Sequence, residues 1–285
     1  MHCALRGTWL DNRRQGRERS VKPAIRESNV NELRIIVTGA SSGIGAALVR
    51  ELSSHHKLLI TGRSSERLKD VTAQLPPTAR EVASLAGDIV NPEFRAQLVQ
   101  EAVRRFDGID VVINCAGLGA TGYFDVDGPH HLRTMLELNL IAPIELIRAA
   151  LPELRRSTQA MIVNVASVVG RRGVPGYSDY CATKFGLCGW SEAVRAELAP
   201  FRIHMLLVCP GATATAANSN LLEDRLNVAM KTNKQMSAQE CAVGISHAIS
   251  AKKNELVLSG GGRFLVLLNR WFPRLADRML ALKIR

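Results

Sequence analysis

Apolar positions recur in two rhythms between residues 33 and 258. Short runs with few polar residues stand at Leu33–Val37, Lys57–Ile60, Val82–Ala86, Ile109–Ile113, Met161–Val165, Ile203–Val208 and Glu255–Leu258. Each has the length and β-branched content of a strand. Segments with helical spacing lie between them. These are Ile44–Leu52, Glu66–Leu75 closed by Pro76-Pro77, a helix opened by Pro92 and running to Phe106, a long segment over about 129–154, and Tyr177–Leu198. Strands nearly bare of polar side chains, alternating with helices, predict a parallel sheet covered on both faces. Residues 31–262 show no internal repeat and no low-complexity linker, so a single domain is expected there.

The first chemistry sits in the turn after the first run. Thr38-Gly39-Ala40-Ser41-Ser42-Gly43-Ile44-Gly45 lies between a strand and a helix, the setting in which a glycine-rich turn binds a dinucleotide. Glycines let the backbone approach a pyrophosphate, and the helix N-terminus offers N–H groups and a positive dipole end to it. The alternative is a tight turn kept for packing. The second run ends at Thr61-Gly62-Arg63. A carboxylate near this place would suit a ribose 2′-hydroxyl. Arg63, with Ser64 and Arg67 beside it, suits a 2′-phosphate, so NADP(H) is expected over NAD(H). A solvated arginine at a helix start is the other reading.

Ser167 follows the fifth run. Tyr180 and Lys184 stand four apart on a predicted helix, and so on one face of it. A free tyrosine, with pKa about 10, is a poor base near neutrality. A nearby ammonium, together with the positive nicotinamide ring of the oxidised cofactor, favours the phenolate and lets the side chain exchange a proton at working pH. Ser167 can bond and polarise a substrate oxygen. Tyr177 has Cys181, not a cation, four residues on, and reads as a pocket or helix-start residue. Asn139 is polar within an apolar helical segment, which is costly unless it is bonded.

The glycine spacing after Thr38, Asn139, Ser167 and the Tyr180/Lys184 pair together resemble the short-chain dehydrogenase/reductase family, over about residues 33–262. The resemblance implies a doubly wound α/β Rossmann fold, a parallel sheet of about seven strands with helices on both faces. It implies an oxidoreductase moving a hydride between NADP(H) and a carbonyl or alcohol. Asn139, Ser167, Tyr180 and Lys184 would form its catalytic group, with Asn139 holding a water that links the lysine to a proton relay. Cofactor contacts are implied at Thr38, Gly39, Ser41, Ser42, Gly43, Ile44, Gly45 and Arg63. Others are implied at Asp88 and Ile89, at Asn114, Ala116 and Gly117, at Tyr180 and Lys184, and at Pro210, Gly211, Thr213 and Thr215. Asp88 would meet the adenine, and could equally cap the helix over Asn91–Phe106. Cys115 stands where the family's N-N-A-G motif has its second asparagine, and Thr213 stands where an apolar residue is usual. Residues 216–236 fall where the family places a substrate lid. The family is usually dimeric or tetrameric, so a homo-oligomer is expected.

Composition changes this picture little. The formal net charge of +11 invites a nucleic-acid reading. Most of the excess lies in residues 1–30 and 263–285. No recognition motif or interleaved aromatics accompany it, so no nucleic-acid partner is expected. Six cysteines without a C-x-x-C or metal-ligand spacing predict no metal and no disulfide framework. Cys115 and Cys209 read as small core residues, and a reducing, cytoplasmic setting fits. No apolar run approaches the ~18–20 residues that span a bilayer. Residues 11–20 are basic and polar where a secretory signal would be apolar. Residues 1–30 read as a disordered basic extension.

The tail carries a separate pattern. Leu265, Leu268, Phe272, Leu275, Met279 and Leu282 recur at spacings of three and four, interrupted or restarted at Pro273. Arg270, Arg274, Arg278 and Lys283 fall between them. This amphipathic pattern fits a helix docked on the domain or on another subunit. It also fits an interfacial membrane helix with Trp271 and the arginines at the headgroups, which would suit a lipophilic substrate. A nucleotide-sensing or scaffold protein that keeps the fold without the chemistry is the alternative function, and the intact group of four residues argues against it.

Overall fold

Successive side chains of a strand point to opposite faces of the sheet. The first strand shows what this does here. Ile35 and Val37 face one buried cluster with Leu48 and Ile245, while Ile36 between them faces another with Leu98 and Leu146. A strand apolar on both faces needs cover on both, and helices supply it. The computed structural model describes residues 32–124, 130–214, 221–224 and 235–282. The extension over residues 1–30, Thr215, most of the 216–236 segment and the final three residues lie outside the described residues.

In chain order the elements begin β1 (Arg34–Thr38), α1 (Gly43–Leu52), β2 (Lys57–Gly62), α2 (Ser65–Ala73), β3 (Val82–Ala86), α3 (Pro92–Phe106) and β4 (Val111–Asn114). They continue with β5 (Gly119–Thr121), α4 (His130–Leu136), α5 (Ala142–Arg156), β6 (Met161–Val165), α6 (Ser178–Leu198), β7 (His204–Cys209), β8 (Thr213–Ala214), β9 (Leu221–Asp224) and β10 (Met236–Ser237). The last are α7 (Ala238–Ser250), β11 (Glu255–Val257), α8 (Gly260–Trp271) and α9 (Pro273–Ala281). Seven strands form one sheet in the order β11-β7-β6-β4-β1-β2-β3, and every neighbouring pair is parallel. This is the expected Rossmann-like, doubly wound sheet. The chain winds outward from β1 through β2 to β3, then restarts at β4 on the other side of β1. The β1/β4 boundary is therefore the switch point, where the loops after the two strands part and leave a crevice.

The sequence reading named no helix at α7, and three further local features differ from its expectation. The long helix over 129–154 is broken: α4 passes into a π-turn, Glu137–Ile141, before α5 begins. The Ala142 N–H reaches back to the Glu137 carbonyl. Pro143, four residues after Asn139, has no N–H to give the Asn139 carbonyl, and its ring would crowd that carbonyl in a regular helix. Second, short parallel pairings join β5 to β9 and β8 to β10. Third, the tail is two helices rather than one stripe. Phe272 leaves the helical region at φ −137°, ψ 62°, which resets the phase at Pro273. Leu265 and Leu268 stay half-buried, but Phe272, Leu275, Met279 and Leu282 face solvent, and α9 buries Ala276 and Leu280 instead.

Candidate active site

The crevice at the switch point opens into a cavity of about 580 Å³. One wall is the glycine turn between β1 and α1. Gly39 has φ +66°, and a Cβ there would lie 2.7 Å from the Ala116 Cα, so only glycine lets the two loops meet. A Cβ on Gly45 would strike the Gly39 carbonyl. The Thr38 hydroxyl fastens the same junction. It accepts the Cys115 and Ala116 N–H groups at 3.0 and 3.1 Å and lies 3.4 Å from the Ile113 carbonyl. Thr38, Gly39, Ser41, Ser42, Gly43, Ile44 and Gly45 all line the cavity, as do Ala116 and Gly117 from the facing loop. The first turn of α1 faces this space, so its N-terminal backbone end is turned toward it.

Arg63, at the end of β2, lines the same wall and is exposed. Asp88 and Ile89 line it from the loop after β3. Asp88 is not the cap of α3. Its Oδ1 accepts the Val90 N–H at 3.0 Å, whereas Asn91 accepts the Phe94 N–H at 2.9 Å and caps the helix. Asn114 also departs from expectation. It is 3% exposed, is not part of the cavity wall, and donates to the Asn164 side chain at 2.9 Å. Asn164 in turn donates to Ser191 at 2.9 Å. Asn114 therefore ties β4 to β6 and α6 beneath the site.

Ser167, Tyr180 and Lys184 line the same cavity. Ser167 follows β6 and is bonded to Tyr180. Its hydroxyl also accepts the Val169 N–H at 3.3 Å. Tyr180 and Lys184 project from the same side of α6, with the Lys184 Nζ 5.7 Å from the Tyr180 ring centre. Lys184 is 4% exposed and donates to the Val165 carbonyl at 3.1 Å. Burial lowers its ammonium to about 8. The expected lowering of Tyr180 calls on the oxidised cofactor as well as this ammonium, and in the protein alone the direction is upward. Burial raises Tyr180, and the bond from Ser167 only partly offsets it.

Asn139 stands behind this group, fully buried in the π-turn. It accepts the Leu118 N–H at 2.8 Å, donates to the Leu118 carbonyl at 2.8 Å, and donates to Thr183 at 3.1 Å. Its amide is thus engaged with the loop after β4 and with α6, and it does not line the cavity. A Cβ on Gly117 would lie 3.2 Å from the Asn139 Oδ1 and 3.6 Å from the Lys184 Nζ, so a glycine brings this loop against both. Pro210, Gly211 and Thr213 line the cavity after β7.

Sequence reasoning missed several members. Leu118, Thr134, Glu137, Leu138, Val168, Val169 and Gln235 also line the cavity, and Tyr177 joins them at the start of α6, as expected of a pocket or helix-start residue. They come from segments far apart in the chain, so no local pattern marks them. Thr183, the partner of Asn139, had a faint signal: it is polar and next to Lys184 on an apolar helix. Among the described residues no cluster of His, Cys, Asp or Glu could hold a metal, and no helix is long and apolar enough to cross a membrane.

Comparison with known proteins agrees with this geometry. Residues 34–226 match the family described as short chain dehydrogenase. The chain is 30% identical over 221 residues to nodulation protein G of Rhizobium sp. (strain N33), covering 76% of this chain and 89% of that protein. It is 29% identical over 226 residues to the ketoacyl reductase HetN of Nostoc sp., covering 79% and 78%. A short-chain dehydrogenase from Streptomyces avermitilis superposes with a TM-score of 0.75 at 27% identity, covering 90% of this chain and 98% of that one. An alcohol dehydrogenase from Thermococcus sibiricus, complexed with 5-hydroxy-NADP, gives 0.70 at 25% identity, covering 79% and 94%. The chain belongs to the short-chain dehydrogenase family, whose members are oxidoreductases that bind NAD(P)(H) and act on small molecules.

Proposed function

We propose that this protein is an NADP(H)-dependent reductase or dehydrogenase acting on a carbonyl or alcohol group carried by an apolar body. One observation carries the reading: a single cavity is lined by the glycine turn and Arg63 and also by Ser167, Tyr180 and Lys184. The glycine turn fits a dinucleotide because a Cβ at Gly39 or Gly45 would fill the space the loops need to meet. The first turn of α1 would take the pyrophosphate, Arg63 the 2′-phosphate, and Pro210, Gly211 and Thr213 the nicotinamide end. Thr215, outside the described residues, belongs to the same proposed contact. When bound, the cofactor supplies or accepts the hydride.

Tyr180 is then the proton donor and acceptor. Its raised pKa keeps it a phenol near neutrality, the form that gives a proton to a developing alkoxide. Ser167 holds the substrate oxygen beside it. Lys184 remains an ammonium at neutral pH, below its value of about 8. It orients the cofactor's ribose and favours the phenolate when the reaction runs toward oxidation. Asn139 acts through position. Its amide braces Leu118 and Thr183, and its backbone carbonyl, which Pro143 cannot bond, would hold the relay water. Val168, Val169 and Tyr177 pack with Tyr180 and line the cavity, so the substrate's body meets an apolar wall.

A panel of aldehydes and ketones, followed by NADPH absorbance, tests the reading. Turnover is expected with apolar carbonyls. Tyr180→Phe should lower kcat by about 10²–10⁴-fold while leaving NADPH binding intact. Arg63→Glu should raise the NADPH KM by roughly tenfold or more and leave NADH little changed. Full activity in Tyr180→Phe would overturn the mechanism.

A further inference from the structure

Seven of the thirteen exposed large apolar side chains among the described residues lie between Phe264 and Leu282. Four of them, Phe264, Trp271, Phe272 and Leu282, leave 58–72% of their surface to solvent. Single exposed apolar residues are ordinary, but a contiguous set is not. This set is concentrated on two successive helices. Phe264, Leu267 and Trp271 share one side of α8, Leu275, Met279 and Leu282 share one side of α9, and Phe272 sits at the bend. The helices are nonetheless docked by their other side. Gly262 packs against Val168, Ala276 and Leu280 are buried, and Arg172 bonds Asn269 at 2.8 Å and pairs with Asp277.

The charge beside this face has one sign. Arg263, Arg270, Arg274 and Arg278 are exposed along the two helices. Asp277 is the sole acid from residue 260 to the end of the chain, and Arg172 already holds it. Aromatic and aliphatic side chains flanked by guanidinium groups complement a surface that is apolar inside and anionic at its rim. A second copy of this face, related by a two-fold axis, would set arginines against arginines.

We propose that the outward face of α8 and α9 docks on an anionic phospholipid bilayer, with Trp271 and Phe272 entering the headgroup region and the arginines bonding lipid phosphates. Gly262, two residues before Phe264, touches Val168 of the cavity wall. Docking therefore sets that wall beside the lipid, and a carbonyl dissolved in the membrane is the substrate such a placement serves. That last step rests on the oxidoreductase reading; the docking itself does not.

Flotation of the full chain tests it, with vesicles of phosphatidylcholine plus phosphatidylglycerol against phosphatidylcholine alone. Binding to the anionic vesicles is expected, weakened by added salt and roughly fivefold weaker for each arginine lost in Arg270→Glu and Arg274→Glu. Trp271→Ser combined with Phe272→Ser should weaken it by about tenfold or more. Lys69→Glu, exposed on α2, should float as the unaltered chain does. The proposal is overturned if the full chain does not float with anionic vesicles, if salt leaves its binding unchanged, or if the tail variants bind normally. It is also overturned if Lys69→Glu loses binding equally, which would reduce the effect to net charge. A concentration-dependent dimer broken by Trp271→Ser would assign the face to a second copy and overturn it too. Reduction of a water-soluble aldehyde, measured without vesicles, reports on the hydride chemistry alone, so the two readings fail separately.

Discussion

The helix α6 and the pair α8–α9 invert the usual rule of burial in opposite directions. α6 buries polar side chains: Thr183 and Ser191 are fully enclosed and Lys184 is 4% exposed. The tail exposes apolar ones, with Trp271 71% exposed. Each inversion costs free energy unless something answers it. Inside α6 the answer is internal. Thr183 meets Asn139, Ser191 meets Asn164, and Lys184 meets the Val165 carbonyl. At the tail the proposed answer lies outside the chain, in lipid. The lesson is to follow departures from the rule rather than obedience to it. A buried lysine and an open tryptophan both mark places where the sequence serves more than the core.

The largest expected break in this comparison is Lys184→Ala. It removes the buried cation, and kcat/KM should fall by about 10²–10⁴-fold while the fold persists; steady-state kinetics beside circular dichroism checks this. Next is Leu280→Ala, on the docked side of α9. It should cost about 2–3 kcal/mol in urea unfolding and loosen the tail without touching the cavity. An effect of comparable size, about 3 kcal/mol at most over the full window, follows from Lys184's depressed pKa. Between about 8 and 10.5 the unfolded lysine holds a proton that the folded one has released. The unfolded state then binds more protons, so this residue's contribution to stability rises with pH across that window. Lys184→Met should lose that rise relative to the unaltered chain when unfolding is followed from pH 8 upward. The smallest effect is Leu275→Ser, on the open side of α9. It should change stability by no more than about 0.5 kcal/mol, against the larger loss for its buried neighbour Leu280. Equal losses at the two positions would mean that the outward face is covered.

Much of the site was legible because its signals are local. Tyr180 and Lys184 are four apart, and their helix is readable from the same window of sequence. The turn from Thr38 to Gly45 follows a strand directly. What escaped depends on partners distant in the chain. Asn114 reads as a cofactor contact until Asn164, fifty residues on, claims its amide. Asp88 could have capped α3, but Asn91 sits nearer the helix start and does so. The π-turn had a sign in Pro143, yet only the observed break shows that the helix widened there rather than ending. In the tail, periodicity drew one apolar stripe past Pro273 but carried no information about which side of each helix would meet the domain.

By itself the sequence determined the order of the seven strands of the main sheet and of five helical segments between them, the parallel sheet, the glycine turn and the pairing of Tyr180 with Lys184. Each follows from interactions within a few residues or from the period of a strand or helix. Only the tertiary structure decided how these parts share a cavity, that Asn139 braces it from behind, and that burial raises Tyr180 in the protein alone. Only the tertiary structure, too, turned Trp271 outward and Leu280 inward. Desolvation and side-chain contact depend on what the folded chain brings from far away, and no local window contains that.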